Sequence, residues 1–121
     1  MFIQIEDPSD LPRAPNDVKI REIQLEPYPD GRRLRVLLEL TPFEQPPDLS
    51  LQVLDQAGYQ VADLDIIAAH QNTLGLTVHL RGPVPQGQFS IQASVRYEEL
   101  GEVHQVERMI ELPMEPKDDT G

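Results

Sequence analysis

Alternation of apolar and polar side chains with a period of two residues is the feature that most constrains this chain. The alternation recurs in seven short segments, and no segment shows a sustained helical period. Its phase slips at Arg21 and Glu22, which predicts either a β-bulge or a strand that switches sheets. The residues predicted to be buried between two sheets are Leu34, Val36, Leu38, Leu51, Val53, Leu76, Val78, Ile91, Ala93, Val95 and Ile110.

Turn-forming residues separate these segments. Tight turns are predicted at Pro29-Asp30-Gly31, at Asp55 to Gly58 and at Glu98 to Gly101. Only residues 61–70 could contain a helical turn. The sequence therefore predicts an all-β fold, an antiparallel immunoglobulin-like sandwich of about seven strands over residues 17–112.

The two ends of the chain differ from this middle part. Residues 1–16 are predicted to hold a short strand and a proline-rich tether, and residues 113–121 a disordered acidic tail. Residues 2–6 alternate and are β-prone. Two alternatives stay open for them: a frayed terminus, or a strand added to an edge of this domain or of a neighbour, which would make a homodimer.

Composition narrows the classes of partner. The chain of 121 residues has a formal net charge of −11, which disfavours binding to nucleic acid and to anionic membranes. It contains no cysteine, so disulfides and thiolate metal sites are excluded. The N-terminus lacks a basic segment followed by an apolar run, so we expect a cytoplasmic protein, or an extracellular one if the chain is a fragment of a longer precursor.

The second half of the chain, from Leu49 to Leu112, resembles bacterial immunoglobulin-like and fibronectin-III-like modules. The resemblance is carried by a Val-x-Asp-x-x-Gly-like turn after a middle strand and by a late-strand pattern. The residues of the late pattern are Pro85, Gly87, Phe89, Ile91 and Ala93. These are turn and core residues, so the resemblance implies an architecture and no activity. Such modules often place Tyr where this chain has Phe89, which removes the hydroxyl of a tyrosine corner.

Metal-binding candidates are few. His70, His79 and His104 are not spaced as zinc ligands, and we expect them to be surface residues. Asp63 and Asp65, with Asp55 nearby in sequence, offer oxygen ligands for weak calcium binding, but the loop motif of calcium-binding hands is missing. We expect these aspartates to lie on a solvated face, with no metal and no cofactor bound.

Signatures of catalysis are equally weak. The candidate nucleophiles Ser9, Ser50, Ser90 and Ser94 lack the Gly-x-Ser-x-Gly elbow, and no glycine-rich phosphate loop is present. We therefore expect no catalytic residues and a protein that is not an enzyme.

Two surface features are candidate binding sites. Arg32, Arg33 and Arg35 could bind an anion, but an antiparallel hairpin would place Glu26 and Gln24 across from Arg33 and Arg35 and compensate their charge. The loop from Arg81 to Gly87 is the strongest loop candidate for function.

The outward side chains of three strands, most of them polar, are predicted to form one face if these strands pair. They are Ser50, Gln52, Gln88, Ser90, Gln92, Ser94, Arg96, Gln105, Glu107, Met109 and Glu111. Such a face could bind a protein or a glycan, or simply face water. We expect a non-catalytic domain for protein–protein contact, adhesion or spacing; the alternative is an accessory module that binds a glycan or calcium weakly.

Overall fold

The computed structural model describes residues 11–82 and 85–112. Within them the chain forms a 3-10 turn and seven strands. The strands are β1 (Ile20–Pro27), β2 (Arg33–Leu40), β3 (Asp48–Leu54), β4 (Gln60–Ile66), β5 (Thr73–His79), β6 (Gly87–Tyr97) and β7 (Gly101–Leu112). This confirms the predicted all-β class and the strand number.

All strand pairs are antiparallel and form two sheets. One sheet has three strands in the order β1-β2-β5, and the other has four in the order β4-β3-β6-β7. The edge strands are therefore β1 and β5 in the first sheet, and β4 and β7 in the second. The fourth strand lies beside the third, whereas in constant-type immunoglobulin domains it joins the other sheet.

The core lies between the two sheets, as the alternation predicts. Nine of the eleven residues predicted to be buried are so in the structure; Leu34, Val36, Val53, Ile91 and Val95 have no exposed surface. Leu76 and Ile110 are only half-buried. Both lie on edge strands, where the facing sheet covers an inward side chain on fewer sides.

The two sheets are joined by hydrogen bonds along both seams of the sandwich. After β5 the backbone changes sheets: Leu80 N donates to Arg32 O beside β2, and Arg81 N donates to Val61 O on β4, at 2.9 and 2.8 Å. On the opposite seam, Ile20 N at the start of β1 donates to Nδ1 of His104 on β7, at 2.9 Å.

The β1–β2 hairpin has the predicted bulge, but its residue pairing differs from the predicted one. The register shifts between Ile20 and Glu22, which confirms the predicted bulge. Glu26 lies opposite Arg35, not opposite Arg33 as predicted. The difference of two residues leaves every side chain on its predicted face, because side chains in a strand alternate with a period of two.

The described N-terminal residues lie against the β2–β3 connection. Arg13 forms a parallel bridge with Phe43, and a 3-10 turn over Pro15–Asp17 follows. Residues 61–70, where a helical turn was allowed, instead contain most of β4 and a bend. The predicted strand at 2–6 and the predicted tail at 113–121 lie outside the described residues. In the part of the chain that is described, no helix has the length and hydropathy of a membrane span.

Candidate binding face

The outward side chains of the four-stranded sheet form one continuous surface, which we call the polar face. The strand registers align its side chains in rows that cross β4, β3, β6 and β7 in that order. One row is Asp65, Ser50, Ser94 and Gln105, and the next is Asp63, Gln52, Gln92 and Glu107. The grouping of serines and glutamines predicted from the sequence is thus present, and β4 adds two carboxylates to it.

Hydrogen bonds across the strands hold several of these side chains. The Ser50 hydroxyl donates to Oδ1 of Asp65 at 2.8 Å, and the Gln52 amide nitrogen donates to the amide oxygen of Gln92 at 3.2 Å. The side-chain carbonyl oxygen of Gln52 can still accept a hydrogen bond, and the side-chain amide nitrogen of Gln92 can still donate one. The face therefore presents acceptors and donors whose orientation is already set.

Ser94 is the unusual member of the face. It lies in the outward phase of β6, yet only 8% of its surface is exposed, because Ser50 and Gln105 lie directly beside it in the neighbouring strands. Among the described residues, no hydrogen-bond partner is found for its hydroxyl. A buried hydroxyl without a partner carries a desolvation cost that a ligand atom or an ordered water would remove.

Ser94 lines an open depression of about 200 Å³ on this face. The depression is lined by Ser50, Leu51, Gln52, Gln60, Asp63, Asp65, Gln92, Ser94 and Gln105. Two lining residues are acidic and none is basic. Asp63 is paired with Arg81 at 3.4 Å, whereas Asp65 has only the Ser50 hydroxyl as a described partner. The electrostatic environment therefore favours a positively charged group.

The three aspartates considered as calcium ligands each interact with different partners. The carboxylate of Asp55 accepts from the backbone nitrogens of Ala57 and Tyr59, which fixes the β3–β4 turn. Asp63 and Asp65 have the partners given above. No group of three or more His, Asp or Glu residues that could hold a metal ion occurs among residues 11–82 and 85–112.

The three histidines lie apart. His70 and His79 are exposed, as expected. His104 is half-buried, and its accepted hydrogen bond from Ile20 gives it a structural role that sequence spacing does not reveal. Burial, and then the charge of Lys19, lower the pKa of His104 from its ordinary value.

Two of the three clustered arginines are paired with acidic side chains. Arg33 donates to Oδ2 of Asp30 at 2.8 Å and its guanidinium lies 4.2 Å from the centre of the Tyr28 ring. Arg35 lies 4.0 Å from the carboxylate of Glu26. The backbone nitrogen of Arg32 and the Arg33 side chain, both donating to Asp30, lower the pKa of that carboxyl group. The Arg32 side chain instead donates to the backbone oxygen of Gly82 at 3.0 Å. The carboxylates beside Arg33 and Arg35 disfavour anion capture by these two arginines.

The other candidates contribute less. Ser90 donates to the carboxylate of Glu107, and Ser9 lies outside the described residues. At the loop from Arg81 to Gly87, a groove of about 330 Å³ is bordered by Asp55, Val61, Leu80, Arg81, Pro85, Gln86 and Phe89. Residues 83 and 84 of this loop are not described.

Comparison with known proteins yields a fold and no closer relationship. No protein-family model and no curated protein sequence matches the chain. A glycosyl hydrolase family 2 member from Bacteroides cellulosilyticus is similar in structure, with a TM-score of 0.57 and 9% identity; the match covers 78% of this chain and 15% of that one. A β-glucuronidase from Ruminococcus gnavus, in complex with D-glucuronic acid, gives a TM-score of 0.52 and 14% identity over 78% of this chain and 16% of its own. The chain thus resembles a β-sandwich portion that makes up a small part of these glycosidases.

Proposed function

We propose that this chain is a non-catalytic β-sandwich domain that makes a protein–protein contact through the polar face. In this proposal the partner places an arginine or lysine side chain in the depression that Ser94 lines. The observation that carries the proposal is Ser94, a buried residue whose hydroxyl has no described partner and which lines a depression together with carboxylate and amide side chains.

The chemistry of the lining favours a cation. Asp65, the free carbonyl oxygen of Gln52 and the Ser94 hydroxyl can all accept hydrogen bonds, and a guanidinium group presents several donors in one plane. The net charge of −11 would also attract a basic segment before contact. A neutral or acidic segment would leave the Asp65 carboxylate without compensation.

A carbohydrate ligand is the second candidate. Carboxylates and amides arranged in rows can bind sugar hydroxyl groups, which both donate and accept. The described lining, however, contains no aromatic ring on which a sugar could stack. This makes the protein partner the better supported of the two.

A peptide-display selection on the purified domain tests the proposal. We expect the enriched peptides to contain Arg or Lys, and we expect Asp65→Asn to weaken their binding about tenfold or more, the effect of losing a charge-assisted hydrogen bond. Ser94→Val, which removes the hydroxyl, should weaken binding as well.

Glu22→Gln is the matched control, because it removes the same charge from an exposed position on the three-stranded sheet. Peptides that bind Asp65→Asn as tightly as the wild type would refute the proposed site. A glycan array that gives a ligand sensitive to Ser94→Val, together with a failed peptide selection, would favour the carbohydrate candidate instead.

A further inference from the structure

The edge strand β5 lacks the features that normally prevent an edge from pairing. Its residues, Thr73 to His79, include no Asp, Glu, Lys, Arg or Pro, and its register with β2 is continuous. Edge strands usually avoid association by charges, proline, bulges or inward-pointing charged residues. The chain has a net charge of −11, yet none of its charged residues lies on this regular edge strand to prevent pairing.

The other three edges each carry such protection. β1 has a bulge and ends in Pro27. β4 pairs through an irregularity and carries Asp63 and Asp65. β7 has a bulge, and Arg108 occupies its inward phase opposite Ile91. Among the described residues, β5 is thus the only edge strand open to regular pairing.

The backbone groups that face outward from β5 can be identified from its ladder. Leu40 N donates to Asn72 O, and Leu80 N donates to Arg32 O, so the even-numbered residues point their backbone groups toward β2. Residues of an antiparallel strand alternate in this respect. The N–H and C=O groups of Thr73, Gly75, Thr77 and His79 therefore point away from the sheet, and no described strand pairs with them.

We propose that β5 pairs antiparallel with β5 of a second copy of this chain, about a two-fold axis at Leu76. In this register Leu76 faces its own copy, Gly75 faces Thr77, and Thr73 faces His79. The outward-pointing groups of both strands then hydrogen-bond to each other, and two three-stranded sheets become one sheet of β1-β2-β5 and its symmetry copy.

The side chains that this register sets opposite one another support a second copy as the partner of β5. The same register sets Leu74 against Val78 and Leu76 against Leu76 on the inward face, and Gly75 against Thr77 on the outward face. Leu74 and Leu76 are half-buried in one chain, so pairing would cover their remaining apolar surface. The two copies repel through their net charge, so the dimer should become more stable as salt screens that repulsion.

Sedimentation equilibrium of the full chain, at low salt and at about 0.5 M salt, tests the pairing. Thr77→Pro removes a backbone donor on the free side of β5 without breaking the ladder to β2, and a proline is tolerated there. Thr77→Val is the matched control, because it loses the same hydroxyl, which contacts Tyr28, and keeps the N–H group. We expect Thr77→Pro to raise the dimer dissociation constant at least about tenfold and Thr77→Val to leave it nearly unchanged.

The register is tested separately by cysteines, since the chain has none of its own. Cysteine at Leu76 would meet its copy at the axis, at a separation suited to a disulfide. Cysteine at Leu74 would lie about four residues, or roughly 13 Å, from its copy. Rapid oxidation of Leu76→Cys to a covalent dimer, with slow oxidation of Leu74→Cys, supports the proposed register, even if Thr77→Pro does not fold.

Three results would overturn the proposal. The first is a chain that stays monomeric at about 1 mM protein in high salt. The second is a dimer whose dissociation constant is unchanged in Thr77→Pro, because the contact would then lie elsewhere. The third is a dimer that disappears when residues 1–10 are deleted, because the contact would then involve that segment.

Discussion

His104 should make the stability of this domain fall at acidic pH, below about pH 6.5. Its Nδ1 accepts a hydrogen bond from Ile20 N, so the bond needs the neutral imidazole with its proton on Nε2. Protonation of Nδ1 turns the acceptor into a donor and leaves the N–H of Ile20 without its partner. The bond joins the edge strands of the two sheets, so its loss should weaken one seam of the sandwich.

The direction of the effect follows from the pKa of His104, which burial and the charge of Lys19 lower. Between the ordinary histidine pKa of about 6.5 and the lower folded-state pKa, the unfolded chain binds more protons than the folded one. The contribution of this residue is therefore complete above about pH 6.5. It is lost as the pH falls through the folded-state pKa. A net value of about 1 kcal/mol is expected for one such hydrogen bond, equivalent to a Tm change of about 4 °C in a chain of 121 residues.

Urea denaturation at pH 8 and pH 5 measures this loss. His104→Asn is the matched control, because an asparagine amide oxygen can occupy the place of Nδ1 and does not titrate. The free energy of unfolding of the wild type, minus that of His104→Asn, should fall by about 1 kcal/mol between the two pH values. Carboxyl groups titrate in both proteins and cancel in this difference. A difference that does not change with pH would refute the role assigned to His104.

Further predictions concern the core, two loop positions and metals. Ile91→Ala should lower the free energy of unfolding by about 2–5 kcal/mol in chemical denaturation, because Ile91 is fully buried. Thr41→Val should cost about 1–3 kcal/mol by the same assay and Thr41→Ser much less, since the buried Thr41 hydroxyl accepts from Lys19 N. Ala68→Gly should raise the Tm, with a gain of up to about 1 kcal/mol, because Ala68 has a φ of 54°. Calcium or zinc should move the Tm by less than about 1 °C; a larger rise reversed by a chelator would contradict the separate engagement of the three aspartates.

Periodicity predicted the architecture because burial between two sheets acts on every second residue. That rule assigned Val36, Val53 and Ile91 to the core correctly, and it located the bulge near Glu22 where the phase slips. It could not set the register of the β1–β2 hairpin, since a shift of two residues preserves both faces. Glu26 consequently has a different partner from the one predicted.

The candidate site was predicted only in part for a related reason. The sequence identified the outward serines and glutamines of three strands, but the addition of Asp63 and Asp65 depends on β4 pairing with β3. The burial of Ser94 depends on which side chains lie beside it in two other strands, and a single strand's alternation carries no such information. The bond from Ile20 to His104 joins residues that are distant in sequence, so no local pattern predicts it.

The order of strands in the two sheets also bears on how quickly the domain reaches its native state. The pairs β1–β2, β3–β4 and β6–β7 are hairpins between consecutive strands, whereas β2–β5 and β3–β6 join segments separated by two intervening strands. The chain segments between these distant strands must come together, at a cost in entropy, before the β2–β5 and β3–β6 contacts can form. Topologies dominated by such distant pairs fold in milliseconds to seconds. Folding is therefore expected to be limited by the encounter of the three hairpins and β5, and the uncharged edge of β5 stays open to other chains during that interval.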